Sequence, residues 1–211
     1  MSKALSIKVF SDGAVLETML HDLNSGLVTG FTTNPSLMKK AGITSYIGFA
    51  KDVLKEITDF PVSFEVFADD LEGMEQEARR IAALGDNVYV KIPVTNSKGE
   101  STAPLIDRLT AEGIKVNVTA IFTVDQVREV VDALKSGTPA VVSVFAGRIA
   151  DTGVDPMPIM EEALAICREK EGVELLWASP RETFNIYQAD ALGVDIITCT
   201  SDLIKKLELK D

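Results

Sequence analysis

Strand-like and helix-like segments alternate through the whole 211-residue sequence, and that alternation restricts the fold more than any other feature. Eight runs have strand character: SIKVF (6–10), LVTGFT (27–32), VSFEVFA (62–68), VYVKIP (88–93), KVNVTAI (115–121), AVVSVFA (140–146), ELLWA (174–178) and DIITC (195–199). Amphipathic stretches separate them. Such alternation lays strands parallel and covers them with helices. About eight β-α units predict a closed (β/α)8 barrel, a single domain over residues 1–211. An open doubly wound sheet is the alternative. Its first turn would carry G-x-G-x-x-G to bind a dinucleotide, and here that turn reads SDGAVLE. No Pro/Gly/Ser-rich linker divides the chain.

Helix ends are marked by side chains that can serve the free backbone N–H groups. Thr123–Gln126 and Ser179–Glu182 each fit a capping box. Asn34–Pro35 and Asp155–Pro156 place a cap residue before a first-turn proline. The stretch 71–85 ends on Gly85, which suits a helix stop.

Residues i and i+2 of a strand share a face. Asp12 is in step with Phe10 and Lys8; Glu65 with Ser63; Lys91 with Tyr89; Asn117 with Thr119; Ser143 with Phe145. The opposite faces are greasy: Val62, Phe64 and Val66; Val88, Val90 and Ile92; Val116, Val118 and Ala120; Val142 and Val144. In a closed barrel the greasy faces pack under helices. The polar set then converges on the interior, near the C-terminal strand ends where barrel sites sit.

Lys91 stands out, because lysine is rarely fully buried. Desolvation disfavours the charged form of a buried amine, and a neutral amine attacks ketones and aldehydes to form a Schiff base. The protonated imine is an electron sink for cleavage of a neighbouring C–C bond. Carboxylates must move the protons, and Glu65 and Asp12 are placed for it. Asn117, Thr119 and Ser143 suit substrate hydroxyls. Arg148 and Arg181 follow strand ends, and arginine forks suit phosphate. Ser179 and Arg181 also fall at an expected helix start, which favours an anion. Taken singly, each residue has a plainer reading. Lys91 could be an ion pair with Glu65 or an edge lysine, Asn34 and Asp12 helix caps, and Asn117, Thr119 and Ser143 buried hydrogen-bonding groups. Phe145 and Trp177 could be core, and the arginines surface charges. Their convergence on one mouth favours a site.

The net charge of −11 argues against a nucleic-acid partner. His21, the sole histidine, reads as a solvated helix position, which removes His-based triads. Cys167 and Cys199 lie far apart, so the reading is a reducing compartment, with no metal spacing. MSKALSIKVF is too poor in apolar residues for a signal peptide, and no run of ~18 apolar residues suggests a span. The expectation is a soluble cytoplasmic protein.

With these residues in view, the chain resembles the transaldolase family, in the short-chain branch that also holds fructose-6-phosphate aldolase. GFTTNPSLM, VSFEVFA, VYVKIPVT, KVNVTAIFT, VSVFAGRI and LWASPRE carry the resemblance. It implies a metal-independent Schiff-base enzyme without a cofactor. Lys91, Glu65, Asp12 and Thr119 are the expected catalytic residues. Asn34, Asn117, Ser143, Phe145, Arg148, Ser179 and Arg181 are the expected substrate-binding residues, with the arginines on phosphate. Sugar phosphates are the implied partners. The related aldolases tend to have Tyr where this chain has Phe145 and Gln where it has Glu65, so the resemblance implies transfer over free cleavage. The alternatives are such an aldolase and a non-catalytic sugar-phosphate-binding barrel. A homo-oligomer is expected, a pentamer or decamer in the branch. The tail SDLIKKLELKD is shorter than the C-terminal helix that builds those rings. Gly13 after Asp12 and Pro180 before Arg181 depart from the family pattern.

Overall fold

The structure, a computed structural model, describes residues 5–209. Residues 1–4 of the leader reading and 210–211 of the tail lie outside them. The order is β1 (Lys8–Asp12), α1 (Leu16–Asn24), β2 (Gly30–Thr32), α2 (Pro35–Lys40), α3 (Tyr46–Glu56), β3 (Val62–Glu65), α4 (Leu71–Ala82) and β4 (Val88–Pro93). Then follow α5 (Ala103–Ala111), β5 (Val116–Ile121), α6 (Val124–Ala133), β6 (Ala140–Val144), α7 (Ala146–Asp151) and α8 (Met157–Cys167). The chain closes with β7 (Val173–Trp177), α9 (Phe184–Leu192), β8 (Ile196–Cys199), α10 (Ser201–Lys205) and a 3₁₀ turn, Lys206–Leu209. Each strand pairs in parallel with its neighbours, and β1 pairs with both β2 and β8. The sheet is therefore a closed (β/α)8 barrel, as the alternation predicts.

The period-2 alternation sorts residues between two cores. Outward residues such as Val62, Phe64, Val90, Ile92, Val142 and Val144 join the main apolar core under the helices. Helix α4 shows the matching pattern. Met74, Ala78 and Ile81 are buried at spacings of four and three, and the Asp70 carboxylate caps Gly73 N at 2.8 Å. Burying a residue like Ile81 contributes about 1.5–3 kcal/mol before entropy is counted. Inside the barrel, Phe10, Val141, Leu176, Ala178 and Ile196 form a second apolar cluster, with Tyr89 and Phe145 against it. Asp12, Glu65, Lys91, Asn117, Thr119 and Ser143 line a cavity at the C-terminal mouth, whereas Lys8 and Ser63 line one at the opposite mouth.

The capping box at Thr123–Gln126 forms as expected, and Asn34 Oδ1 accepts from Leu37 N at 3.0 Å. Other ends differ from expectation. Helix α4 stops at Ala82, before Gly85, and Leu84 N turns back to the Ile81 carbonyl. Helix α8 starts one residue late, at Met157, whose N–H is held by the Asp155 carboxylate at 2.9 Å. Strand β1 continues to Asp12, paired with Thr32. Strand β3 stops at Glu65 because the N–H groups of Phe67 and Ala68 turn to the Glu77 carboxylate, at 2.6 and 2.9 Å.

Two departures reach the site. The period-2 pattern predicts Ala120 on the outer face with Val116 and Val118. Instead its φ is +59°, the β5–β6 register shifts between Val118 and Ile121, and Ile121 takes the outward place in the core. The Ser179–Glu182 box does not form either, because α9 begins at Phe184. Ser179 is left-handed, with φ +57°, and the Asn185 side chain holds the N–H groups of Arg181 and Glu182. The expected helix N-terminus at Ser179 and Arg181 is thus a loop.

His21 is exposed on α1, its Nδ1 3.5 Å from Asp22. Both cysteines are free and buried, and burial pushes their thiols up to about 12. Among the described residues, no helix is long and apolar enough to cross a membrane.

Candidate active site

Lysine 91 projects from β4 into the C-terminal mouth of the barrel and is 8% exposed. Its Nζ lies 3.3 Å from Glu65 Oε2 and 3.3 Å from the Thr33 carbonyl. Glu65 and Lys91 are register partners across β3–β4, and Lys91 and Asn117 across β4–β5. The plain reading of Lys91 as an ion pair with Glu65 is therefore true, but the pair opens into a cavity. That cavity, about 340 Å³, is also lined by Asp12, Asn34, Asn117, Thr119, Ser143, Phe145, Arg148 and Ser179. Ten of the eleven residues singled out from the sequence meet there.

Asp12 accepts a hydrogen bond from Thr32 Oγ1 at 2.7 Å. Its surface still meets the cavity, yet protein atoms crowd it densely. Burial pushes its carboxyl above the usual range, while the Lys91 charge and the Thr32 bond pull the other way. Asn117 is fully buried and doubly held: its Nδ2 donates to Ser63 Oγ at 3.0 Å, and its Oδ1 accepts from Ser143 Oγ at 2.6 Å. Thr119 Oγ1 is buried and has no hydrogen-bond partner among the described residues. Such a group is costly unless something in the cavity completes it. Asn34 spends its carbonyl oxygen on capping α2, which leaves its amide for the cavity it lines.

At the β6–β7 side, the Arg148 guanidinium stacks 4.9 Å from the Phe145 ring centre. It has no carboxylate partner among the described residues, so its donors are free for an anion. Arg181 is placed differently. It is absent from the cavity lining and is ion-paired with Asp151, its Nε 3.0 and 3.1 Å from the two carboxylate oxygens.

Sequence reasoning passed over several contributors. Thr32 and Thr198 line the cavity and bond each other at 2.6 Å. Ser63 anchors Asn117, and Tyr46 Oη donates to the Glu65 carbonyl at 2.7 Å. Thr198 is in step with Ile196 on the inner face of β8, so the alternation could have found it. Tyr46 reaches in from α3, and no local pattern announces that contact.

A larger cavity, about 580 Å³, opens at the opposite mouth. Size does not make it the site. Its lysines are engaged, Lys8 with Glu174 and Lys115 with the Asp86 carbonyl, and it holds no residue of the Lys91 constellation except Ser63.

Fold and cavity together define a (β/α)8 barrel with a lysine–carboxylate centre at its C-terminal mouth. The family model described as Transaldolase/Fructose-6-phosphate aldolase matches residues 9–211. A probable transaldolase of Methanococcus maripaludis strain C7 is 39% identical over 95% of this chain and 89% of its own. Probable transaldolases of Thermoplasma volcanium and Nitrosopumilus maritimus are 37% and 36% identical, each over 95% of this chain and 87% of theirs. The chain belongs to the transaldolase/fructose-6-phosphate aldolase family. Its relatives mark it as an enzyme of the transaldolase kind.

Proposed function

We propose that this protein transfers a dihydroxyacetone unit from a ketose phosphate to an aldose phosphate, through a Schiff base on Lys91. Donors of the proposed class are fructose 6-phosphate and sedoheptulose 7-phosphate. The observation that carries the reading is the Lys91 amine, held between Glu65 and the Thr33 carbonyl in the cavity that Asp12 shares. The amine adds to the C2 carbonyl, and the carbinolamine loses water to give the protonated imine. Glu65, acting through a water, carries the protons of that step. Asp12 takes the C4 hydroxyl proton. The C3–C4 bond then breaks, its electrons pass into the iminium, and an aldose phosphate leaves. The remaining enamine attacks the aldehyde of the acceptor, and hydrolysis restores the amine.

Asn117, Thr119 and Ser143 would hold substrate hydroxyls, and Arg148 the phosphate. No metal or cofactor enters the scheme. Phe145 favours transfer over release, since a phenyl ring cannot supply a proton to the three-carbon carbanion as a phenol could. The test is incubation with fructose 6-phosphate, with and without erythrose 4-phosphate. Transfer requires both sugars and yields sedoheptulose 7-phosphate. Free dihydroxyacetone from fructose 6-phosphate alone would assign the aldolase reaction instead. No turnover of any ketose phosphate would leave a binding barrel.

A further inference from the structure

We propose that Thr198 is a positioning residue for this reaction: its hydroxyl orients the Thr32 hydroxyl, which holds the Asp12 carboxylate. The inference deepens the transaldolase reading and rests on it for its catalytic half.

While Asp12 is ionised, as a base must be before it acts, only one arrangement of protons is left. Thr32 Oγ1 lies 2.7 Å from Asp12 Oδ1 and 2.6 Å from Thr198 Oγ1. A hydroxyl has one proton, and an ionised carboxylate only accepts. The Thr32 proton must therefore point to Asp12, and Thr198 must be the donor in the second contact. The chain runs from Thr198 to Thr32 to Asp12. Its two threonines come from β2 and β8, the strands that flank the strand of Asp12, and both are buried, at 2% and 7% exposure. Aligned hydrogen bonds polarise one another, by about 10–30% per bond. Loss of the Thr198 hydroxyl would free Thr32 to turn away from Asp12.

Other groups act on the same carboxylate. Lys91 on β4 favours its charge, and Glu65 on β3 shares its cavity with Arg148 on α7. Lys40 on α2 lines a cleft beside it, and the Cys199 thiol on β8 feels its charge. None of these bonds Asp12 directly; Thr32 does. The arrangement also suits turnover. Once Asp12 has taken the substrate proton it can donate to Thr32, and the chain can run the other way.

The test compares Thr198→Val with Thr198→Ser. The first readout is the Asp12 carboxyl titration in unliganded protein, followed by carbon-13 NMR and assigned with Asp12→Asn. Thr198→Val is expected to raise the midpoint by about 0.5–1 pH unit, the scale of a weakened hydrogen bond. Thr32→Val should raise it further, and Thr198→Ser should restore it. The second readout is single-turnover cleavage of fructose 6-phosphate, expected to fall roughly 5–20-fold in Thr198→Val, with borohydride-trapped adduct forming at the unaltered rate. An unchanged midpoint in folded Thr198→Val would overturn the proposal. So would Thr198→Ser behaving as Thr198→Val, which would mean the site needs the side chain's shape. A wild-type protein that forms no adduct would remove the functional reading and the catalytic half with it. The titration would still decide the hydroxyl chain.

Discussion

Burial pushes the Asp12 carboxyl above the ordinary carboxylate range, and Lys91 and Thr32 offset this only in part. The folded protein therefore binds more protons at Asp12 than the unfolded chain does, once pH passes the unfolded value of about 3.9. Stability contributed by this residue falls as pH rises from there through the folded value. Asp12→Asn removes that cost while keeping an acceptor for Thr32. Its gain in urea midpoint should be larger at pH 7.5 than at pH 4, and cleavage should be lost. An equal effect at both pH values would contradict the assignment. The two arginines separate in the same way. Arg148→Gln removes unpaired donors on the cavity and should raise KM for a phosphorylated donor about 10–100-fold, the worth of a charged hydrogen bond. Arg181 is committed to Asp151 in an exposed pair, so Arg181→Gln should change KM by less than about 5-fold. Steady-state kinetics on both variants checks the order; a reversal would move the phosphate to Arg181. Phe145→Tyr should release free dihydroxyacetone from fructose 6-phosphate without an acceptor, measurable by product assay. No gain would undermine the role given to the phenyl ring.

The elements that carry the site are set by close approaches as much as by strand pattern. The start of α7 lies against the loop after β7. A Cβ on Gly147 would stand 1.5 Å from the Ser179 carbonyl oxygen, so only glycine lets the two backbones meet. Gly147→Ala must push apart the segments bearing Arg148 and Ser179. It should cost at least ~2 kcal/mol in denaturant unfolding, the upper part of the overpacking range. Wild-type stability in that variant would contradict the contact. Here the sequence was a partial guide. Alternation placed Glu65, Lys91, Asn117 and Ser143 correctly, because period-2 geometry is local and a closed barrel turns one face inward. It misplaced Ala120, because the bulge at β5 inserts an extra residue that only pairing with β6 defines. It mistook Ser179–Glu182 for a cap because the residue types fit, while Pro180 and the left-handed Ser179 delay the helix to Phe184. Thr198 was overlooked because threonine is an ordinary strand residue, and its meaning comes from Thr32, 166 positions away.

At the scale of the molecule, the closed sheet explains why isolated signals became one site. Eight parallel strands end at the same mouth, an apolar cluster fills the barrel axis behind them, and polar side chains crowd the remaining space. The chain has a net charge of −11, so the cations of this cavity, Lys91 and Arg148, are a local exception able to hold an anionic sugar. Lys91 is the centre of the site. Truncating one partner of a buried pair costs about 3–5 kcal/mol, so Lys91→Ala must be shown to remain folded by its thermal melt before it is used. The decisive measurement is borohydride reduction during incubation with fructose 6-phosphate, followed by peptide mass mapping. The expected result is one sugar-derived adduct, on the peptide containing Lys91, absent from folded Lys91→Ala. An adduct on another lysine, an undiminished adduct in Lys91→Ala, or no adduct with any ketose phosphate would contradict it.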